Sequence, residues 1–131
     1  MSTTADARPI SEVPASEGAL VLSAFRKVAL ALGLTLQQQA TLLGVSRATA
    51  SSWKTTPGGD PDKLDRMALF VGIYDLAGQA FPGERGAEGW LTRPNTAPLF
   101  GGEAPLAFLL QGRFEHLYRT YDHLRALVQL W

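Results

Sequence analysis

The chain contains no cysteine in 131 residues. That excludes disulfide staples, thiolate metal sites and a cysteine nucleophile, and it fits a reducing, cytoplasmic setting. Charge is also scarce. Charged residues make up 18% and the formal net charge is zero, so the chain as a whole is not a polycation that coats nucleic acid. No apolar run approaches the roughly 18 residues that a membrane span needs. The opening MSTTADARPISEVPASEG lacks a basic stretch followed by an apolar core, so no secretory leader is expected. Alternating apolar and polar runs of strand length are missing, as are internal repeats. What is present is a globular composition, 46% hydrophobic, in a chain sized for one compact unit or two small ones sharing a core.

Helical periodicity fills the chain, and the expected fold is all-α. Residues 1–16, rich in Ser, Thr, Ala and Pro, read as a flexible arm. A first helix is expected from Glu17 to Leu32, with Leu20, Ala24, Val28 and Ala31 as its apolar face and Gly33 as its stop. Thr35 caps a short second helix ending near Leu43. Ser46 caps a third that carries Trp53. After a Pro/Gly loop, Asp60-Pro61 restarts a helix whose stripe reads Leu64, Met67, Ala68, Val71 and Tyr74. Phe81-Pro82-Gly83 stops it. Short helices are expected at residues 87–91 and 105–111. The last helix runs from about Arg113 towards Trp131, with Phe114, Leu117, Tyr121, Leu124 and Val128 at helical intervals.

Charge is distributed unevenly along this frame. Residues 17–56 carry four basic side chains (Arg26, Lys27, Arg47, Lys54) against Glu17, whereas residues 57–131 carry seven basic and nine acidic. A basic segment followed by a mildly acidic one suits nucleic acid for the first and a protein partner for the second.

The segment LTLQQQATLLGVSRATASSWK, Leu34 to Lys54, has the chemistry of a helix-turn-helix. Ala40 lets two helices cross closely, and Gly44 tolerates a left-handed turn. Leu43, Val45, Ala50 and Trp53 wedge the helices together. That leaves Ser46, Arg47, Ala48, Ser51 and Ser52 on the outer face of the third helix, with Lys54 beyond it. In a helix-turn-helix this face enters the major groove, where Arg47 can reach guanine or phosphate and the serines and Lys54 can reach phosphates or base edges. The pattern resembles the Xre/Cro-type helix-turn-helix, with two departures. Leu36 stands where a Gln is frequent, and Gln39 where an apolar residue is usual.

Downstream, AEGWLTRPNTAPLFGGEAPLAFL (Ala87 to Leu109) is followed by Leu110-Gln111-Gly112-Arg113. Trp90 anchors a short helix, Pro94-Asn95 initiates a turn, Gly101-Gly102 permits unusual φ values, and Pro105 and Gly112 bracket a helix. This order resembles the toxin-binding domain of Xre/MbcA/ParS antitoxins. The resulting division is residues 1–16 as arm, 17–58 as helix-turn-helix and 59–131 as a helical toxin-binding domain. The resemblance implies a RES-domain toxin as partner, an enzyme that consumes NAD or uses it for ADP-ribosylation. It implies an antitoxin that covers the toxin's active site, repression of its own operon through operator DNA, and a homodimer within a heterotetrameric or larger complex. Candidate toxin contacts are Arg113, Glu115, Arg119, Arg125, Gln129 and Trp131. Trp90, Pro94, Asn95, Gly101, Gly102, Pro105 and Gly112 form the scaffold. The apolar end, Leu127 to Trp131, either packs on its own core or inserts into a partner.

No catalytic constellation stands out, and neither cofactor nor metal is expected. His116 and His123 lie seven apart without carboxylates at metal-ligand spacing, and are expected at the surface or partly packed. Ser46, Ser51 and Ser52 lack a base. Gly101-Gly102 has no following Lys-Ser/Thr. Asp60 and Asp62 belong to a helix start. Two other readings fit the residues: a stand-alone helix-turn-helix regulator whose C-terminal half dimerises or senses a ligand, and an interaction module that has lost DNA binding.

Overall fold

The computed structural model describes residues 12–83 and 85–130, with side chains from Glu17 onward. Among these residues seven helices follow in order: α1 (Glu12–Ala31), α2 (Leu36–Leu43), α3 (Arg47–Ser52), α4 (Pro61–Ala80), α5 (Gly86–Thr92), α6 (Pro105–Leu109) and α7 (Phe114–Leu130). The described residues include no strand, and the fold is all-α.

Helix ends follow from local chemistry. Thr35 and Gln38 form a capping box: the Thr35 hydroxyl accepts from the Gln38 N–H at 3.1 Å, and Gln38 Oε1 accepts from the Thr35 N–H at 2.9 Å. At the other end of α2, Gly44 turns left-handed (φ 68°), and the Val45 N–H returns to the Ala40 carbonyl at 3.0 Å. Helix α1 closes the same way at Gly33. Asp60 caps α4 through the Asp62 N–H at 2.9 Å, with Pro61 at the first position, where no amide hydrogen is required.

Several boundaries differ from expectation. Helix α1 begins at Glu12, inside the stretch read as an arm, so the expected start at Glu17 is late. Pro14 is tolerated there because first-turn amides have no intrahelical acceptor. The rest of the expected arm, residues 1–11, lies outside the described residues. Trp53 follows α3 as its C-cap and is not a helical residue. Helix α6 stops at Leu109, and Leu110 to Gly112 form the turn.

Helix α4 is the central post, with α1, α2, α5 and α7 packed around it. Its buried side is Met67, Phe70, Ile73, Ala77 and Ala80, whereas Ala68, expected in the stripe, is exposed. Phe70 meets Phe25 of α1, ring centroids 5.6 Å apart. Burying each such side chain contributes about 1.5–3 kcal/mol. The expected face of α1 is also corrected. Leu22, Phe25, Val28 and Ala29 are buried, while Leu20 is 73% exposed and Ala31 faces solvent. Both stripes satisfy helical spacing, and the bulky Phe25 and Leu22 are the residues that meet α4. On α7 the buried residues are His116, Leu117, Thr120 and Leu124; Phe114, expected inside, is at the surface.

Beside this post lies an aromatic run. Trp90 stacks on Phe81 at 5.9 Å and meets Phe100 edge-on at 5.6 Å, and Phe100 meets Phe108 edge-on at 5.4 Å. Both histidines join it, which corrects the surface expectation for His116. Its ring stacks on Phe108 at 4.0 Å, and its Nδ1 donates to the Phe108 carbonyl at 3.0 Å. His123 packs against Trp90 and Phe100, and burial lowers its pKa from the ordinary histidine value.

Candidate functional site

Two surfaces carry the candidate residues. The first is the outer side of α3. Ser46, Arg47, Ala48, Ser51, Ser52 and Lys54 are all exposed there. Two of the hydroxyls are already engaged by the backbone. Ser46 Oγ accepts from the Thr49 N–H at 3.1 Å as the N-cap, and Ser52 Oγ donates to the Thr49 carbonyl at 2.6 Å. Arg47, Ser51 and Lys54 are therefore the stronger candidates for groove contacts. Inward, Ala50 is fully buried and Val45 and Trp53 pack against the core.

Behind α3 lies a residue that sequence reasoning missed. Arg26, on α1, donates from Nη1 to Gln39 Oε1 and from Nη2 to the carbonyls of Ala50 (2.8 Å) and Trp53 (3.2 Å). Gln39 Nε2 in turn donates to the Leu34 carbonyl at 3.3 Å. The polar Gln39, out of place in the pattern, is explained by this partner. Burial pulls the Arg26 pKa below its ordinary value. The only sequence signal was that paired oddity: an arginine within an apolar helix and a glutamine at a position that is usually apolar.

The second surface belongs to the C-terminal half. Its loop from Pro94 to Ala104 folds on itself. The Asn95 N–H donates to the Glu103 carbonyl at 3.0 Å, and the Gly102 N–H donates to the Asn95 carbonyl at 2.9 Å. Asn95 Oδ1 accepts from the Ala97 N–H at 2.9 Å. Gly101 and Gly102 both take positive φ (58° and 96°), which side-chain-bearing residues avoid. Pro94 is exposed, Pro105 is buried at the start of α6, and Trp90 is buried within the aromatic run. At Gly112 (φ 85°) the chain turns into α7 against Thr41 of α2, so tightly that a Cβ there would meet Thr41 Cγ2 at 3.2 Å. Arg66 of α4 locks this junction. Its Nη1 donates to the carbonyls of Leu42 (3.3 Å) and Gly112 (3.0 Å), and its Nε pairs with Asp62 at 3.2 Å. Lys63 and Arg66 hold the Asp62 carboxyl below its ordinary pKa, Lys63 contributing most.

Helix α7 presents Glu115, Arg119, Asp122, Ala126 and Gln129 to solvent at alternating spacings of four and three, one continuous outer line. Arg113 and Arg125 are exposed to the sides, and Arg113 pairs with Glu115 at 3.2 Å. Trp131 lies outside the described residues. Leu127 packs against the core, whereas Leu130 is 83% exposed. Exposed aromatics add to the candidates: Phe114 (37%) and Tyr118 (55%) line a cleft of about 390 Å³ with Asp65, Gly72 and Tyr121. Spacing alone assigned Phe114 to the core, because it lies a regular turn from Leu117 and Tyr121.

Among the described residues no three His, Asp or Glu side chains gather to hold a metal ion, and no helix is long and apolar enough to cross a membrane. The arrangement offers recognition surfaces: a short helix with a polar outer face, and a long charged helix whose start is tied to the end of α2 through Arg66. Fold and surfaces together define a helix-turn-helix protein with a second, helical C-terminal half. Residues 11–72 match the family described as antitoxin Xre-like helix-turn-helix domain. Residues 76–127 match the antitoxin Xre/MbcA/ParS C-terminal toxin-binding domain. The chain is also 34% identical over 118 residues to the uncharacterized protein y4oB of Sinorhizobium fredii (strain NBRC 101917 / NGR234), covering 86% of this chain and 90% of that one. The chain belongs to the Xre/MbcA/ParS antitoxin family, a family of non-enzymatic regulators and inhibitors.

Proposed function

We propose that this antitoxin neutralises a RES-domain toxin, an NAD-consuming or ADP-ribosylating enzyme, by laying α7 across the mouth of the toxin's NAD cleft. The observation that carries the reading is the toxin-binding match over residues 76–127, which takes in most of α7 and its exposed charged line. Arg113, Glu115, Arg119, Arg125 and Gln129 make the contacts, and Trp131 extends them. The arginines meet groups in the cleft that would otherwise face a dinucleotide, while the loop from Pro94 to Ala104 holds α6 and α7 in register. Blocking entry needs no chemistry from the antitoxin, only a surface that stays bound.

The outer face of α3 binds operator DNA and represses the antitoxin's own operon, with Arg47 and Lys54 supplying cationic contacts. Two copies read an inverted repeat, as two-fold helix-turn-helix proteins do, within a heterotetrameric or larger complex in the cytoplasm. Helix α4 belongs to both halves, since the two family matches meet within it.

Co-expression with the product of the adjacent gene tests the toxin reading. The two proteins are expected to co-purify, and Arg119→Glu with Arg125→Glu is expected to abolish the complex while the helical signal is kept. A complex that survives reversal of both charges would remove α7 from the interface.

A further inference from the structure

Helix α3 is six residues long, too short to hold its shape alone, because isolated helices need roughly 12–15 residues to be even marginal. Its start is secured by the Ser46 cap, but its end is not built like those of α1 and α2. Helices α1 and α2 close on left-handed glycines, Gly33 and Gly44. Helix α3 ends instead on Trp53 in an extended conformation (φ −83°, ψ 97°), whose N–H makes one long bond, 3.3 Å, to the Ala50 carbonyl, so this end draws further donors from outside. The Arg26 guanidinium does this from α1, donating to the Ala50 and Trp53 carbonyls and placing its positive charge at the negative end of the helix. Its third bond, to Gln39, reaches α2, and Gln39 continues to the Leu34 carbonyl ahead of the capping box. One side chain thus holds the end of α3 and the body of α2 at a fixed separation. Trp53, the residue it grips, directly precedes Lys54, which with Lys27 lines a cleft of about 480 Å³ between α1 and the end of α3.

We propose that Arg26 is a positioning residue for DNA recognition: it replaces the missing glycine cap of α3 and sets where Arg47, Ser51 and Lys54 stand, without itself touching DNA. The proposal rests on the reading of α3 as the DNA-contacting helix. Lysine substitutes only in part, because a single ammonium on a flexible stem lacks the planar fork that meets three acceptors at once.

The experiment compares the full-length wild type with Arg26→Met, Arg26→Lys and Arg47→Ala. Affinity for the promoter fragment of its own gene is measured across salt concentrations, and amide hydrogen exchange is followed at residues 49–54 and 117–124. Arg26→Met is expected to weaken binding by about tenfold or more, the effect of one or two charge-assisted hydrogen bonds. The slope of log affinity against log salt should stay at the wild-type value, because no phosphate contact is lost. Arg47→Ala, a direct contact, is expected to reduce that slope by about one. Exchange at residues 49–54 should quicken in Arg26→Met while residues 117–124 keep their protection. Should Arg26→Met fail to fold, Arg26→Lys carries the test, with a smaller loss of affinity at the same unchanged slope. A reduced slope would make Arg26 a phosphate contact, and unchanged affinity would make it irrelevant to recognition; either result overturns the proposal. If the wild type does not bind the fragment, the DNA reading itself fails, and the exchange at residues 49–54 alone decides whether Arg26 sets α3: unchanged protection overturns it.

Discussion

Thr120 is fully buried on α7, and its hydroxyl has no hydrogen-bond partner among the described residues. An unpaired buried hydroxyl costs about 1–3 kcal/mol, and valine has nearly the same shape without it. Thr120→Val is therefore expected to leave stability unchanged or raise it by about 1 kcal/mol in urea unfolding; a loss of that size would mean the hydroxyl has a partner. His123 adds a pH dependence. Burial lowers its folded pKa below the unfolded value of about 6.5, so the unfolded chain binds the proton more readily. Its contribution is complete above the unfolded pKa and is lost as pH falls through it towards the folded pKa. The thermal midpoint should fall as the pH drops below about 6.5, and His123→Leu should make that fall shallower. An equally steep fall in the variant would acquit His123.

In the proposed function, individual helices divide the tasks. Arg47→Ala is expected to weaken operator binding and leave toxin binding intact, because α3 and the outer line of α7 are separate surfaces. Equal loss of both in paired affinity measurements would contradict that division. At this scale the sequence was readable where the chemistry is local. The Thr35–Gln38 box, the Ser46 cap, the Gly44 turn and the Asp60-Pro61 start each depend on neighbours within a few residues. Helix faces were harder. On α1, Leu20 and Ala31 keep helical spacing as well as Leu22 and Phe25 do, and only the position of α4 selects between them. Phe114 keeps the spacing of a core residue and is surface by packing. The Arg26 and Arg66 clamps were hidden because their acceptors are mostly backbone carbonyls 24 to 46 residues away, and carbonyls leave no mark in a sequence.

Across the whole molecule, α4 and Arg66 make the two recognition surfaces one body. The start of α7 is tied to the end of α2 through a single guanidinium and the close contact of Gly112 with Thr41. A partner gripping α7 therefore pulls on the same frame that presents α3. Neutral overall charge suits the proposed pairing of a basic DNA-reading surface with a mixed-charge toxin-binding helix, since nucleic acid is not drawn to both. The central claim of the proposed function is inhibition by occlusion, and the most direct measurement is NAD loss catalysed by the co-purified toxin, with and without this chain. NAD is expected to stay intact when the antitoxin is present in stoichiometric amount and to disappear when it is removed. Equal NAD loss in both samples, or none in either, would contradict the account.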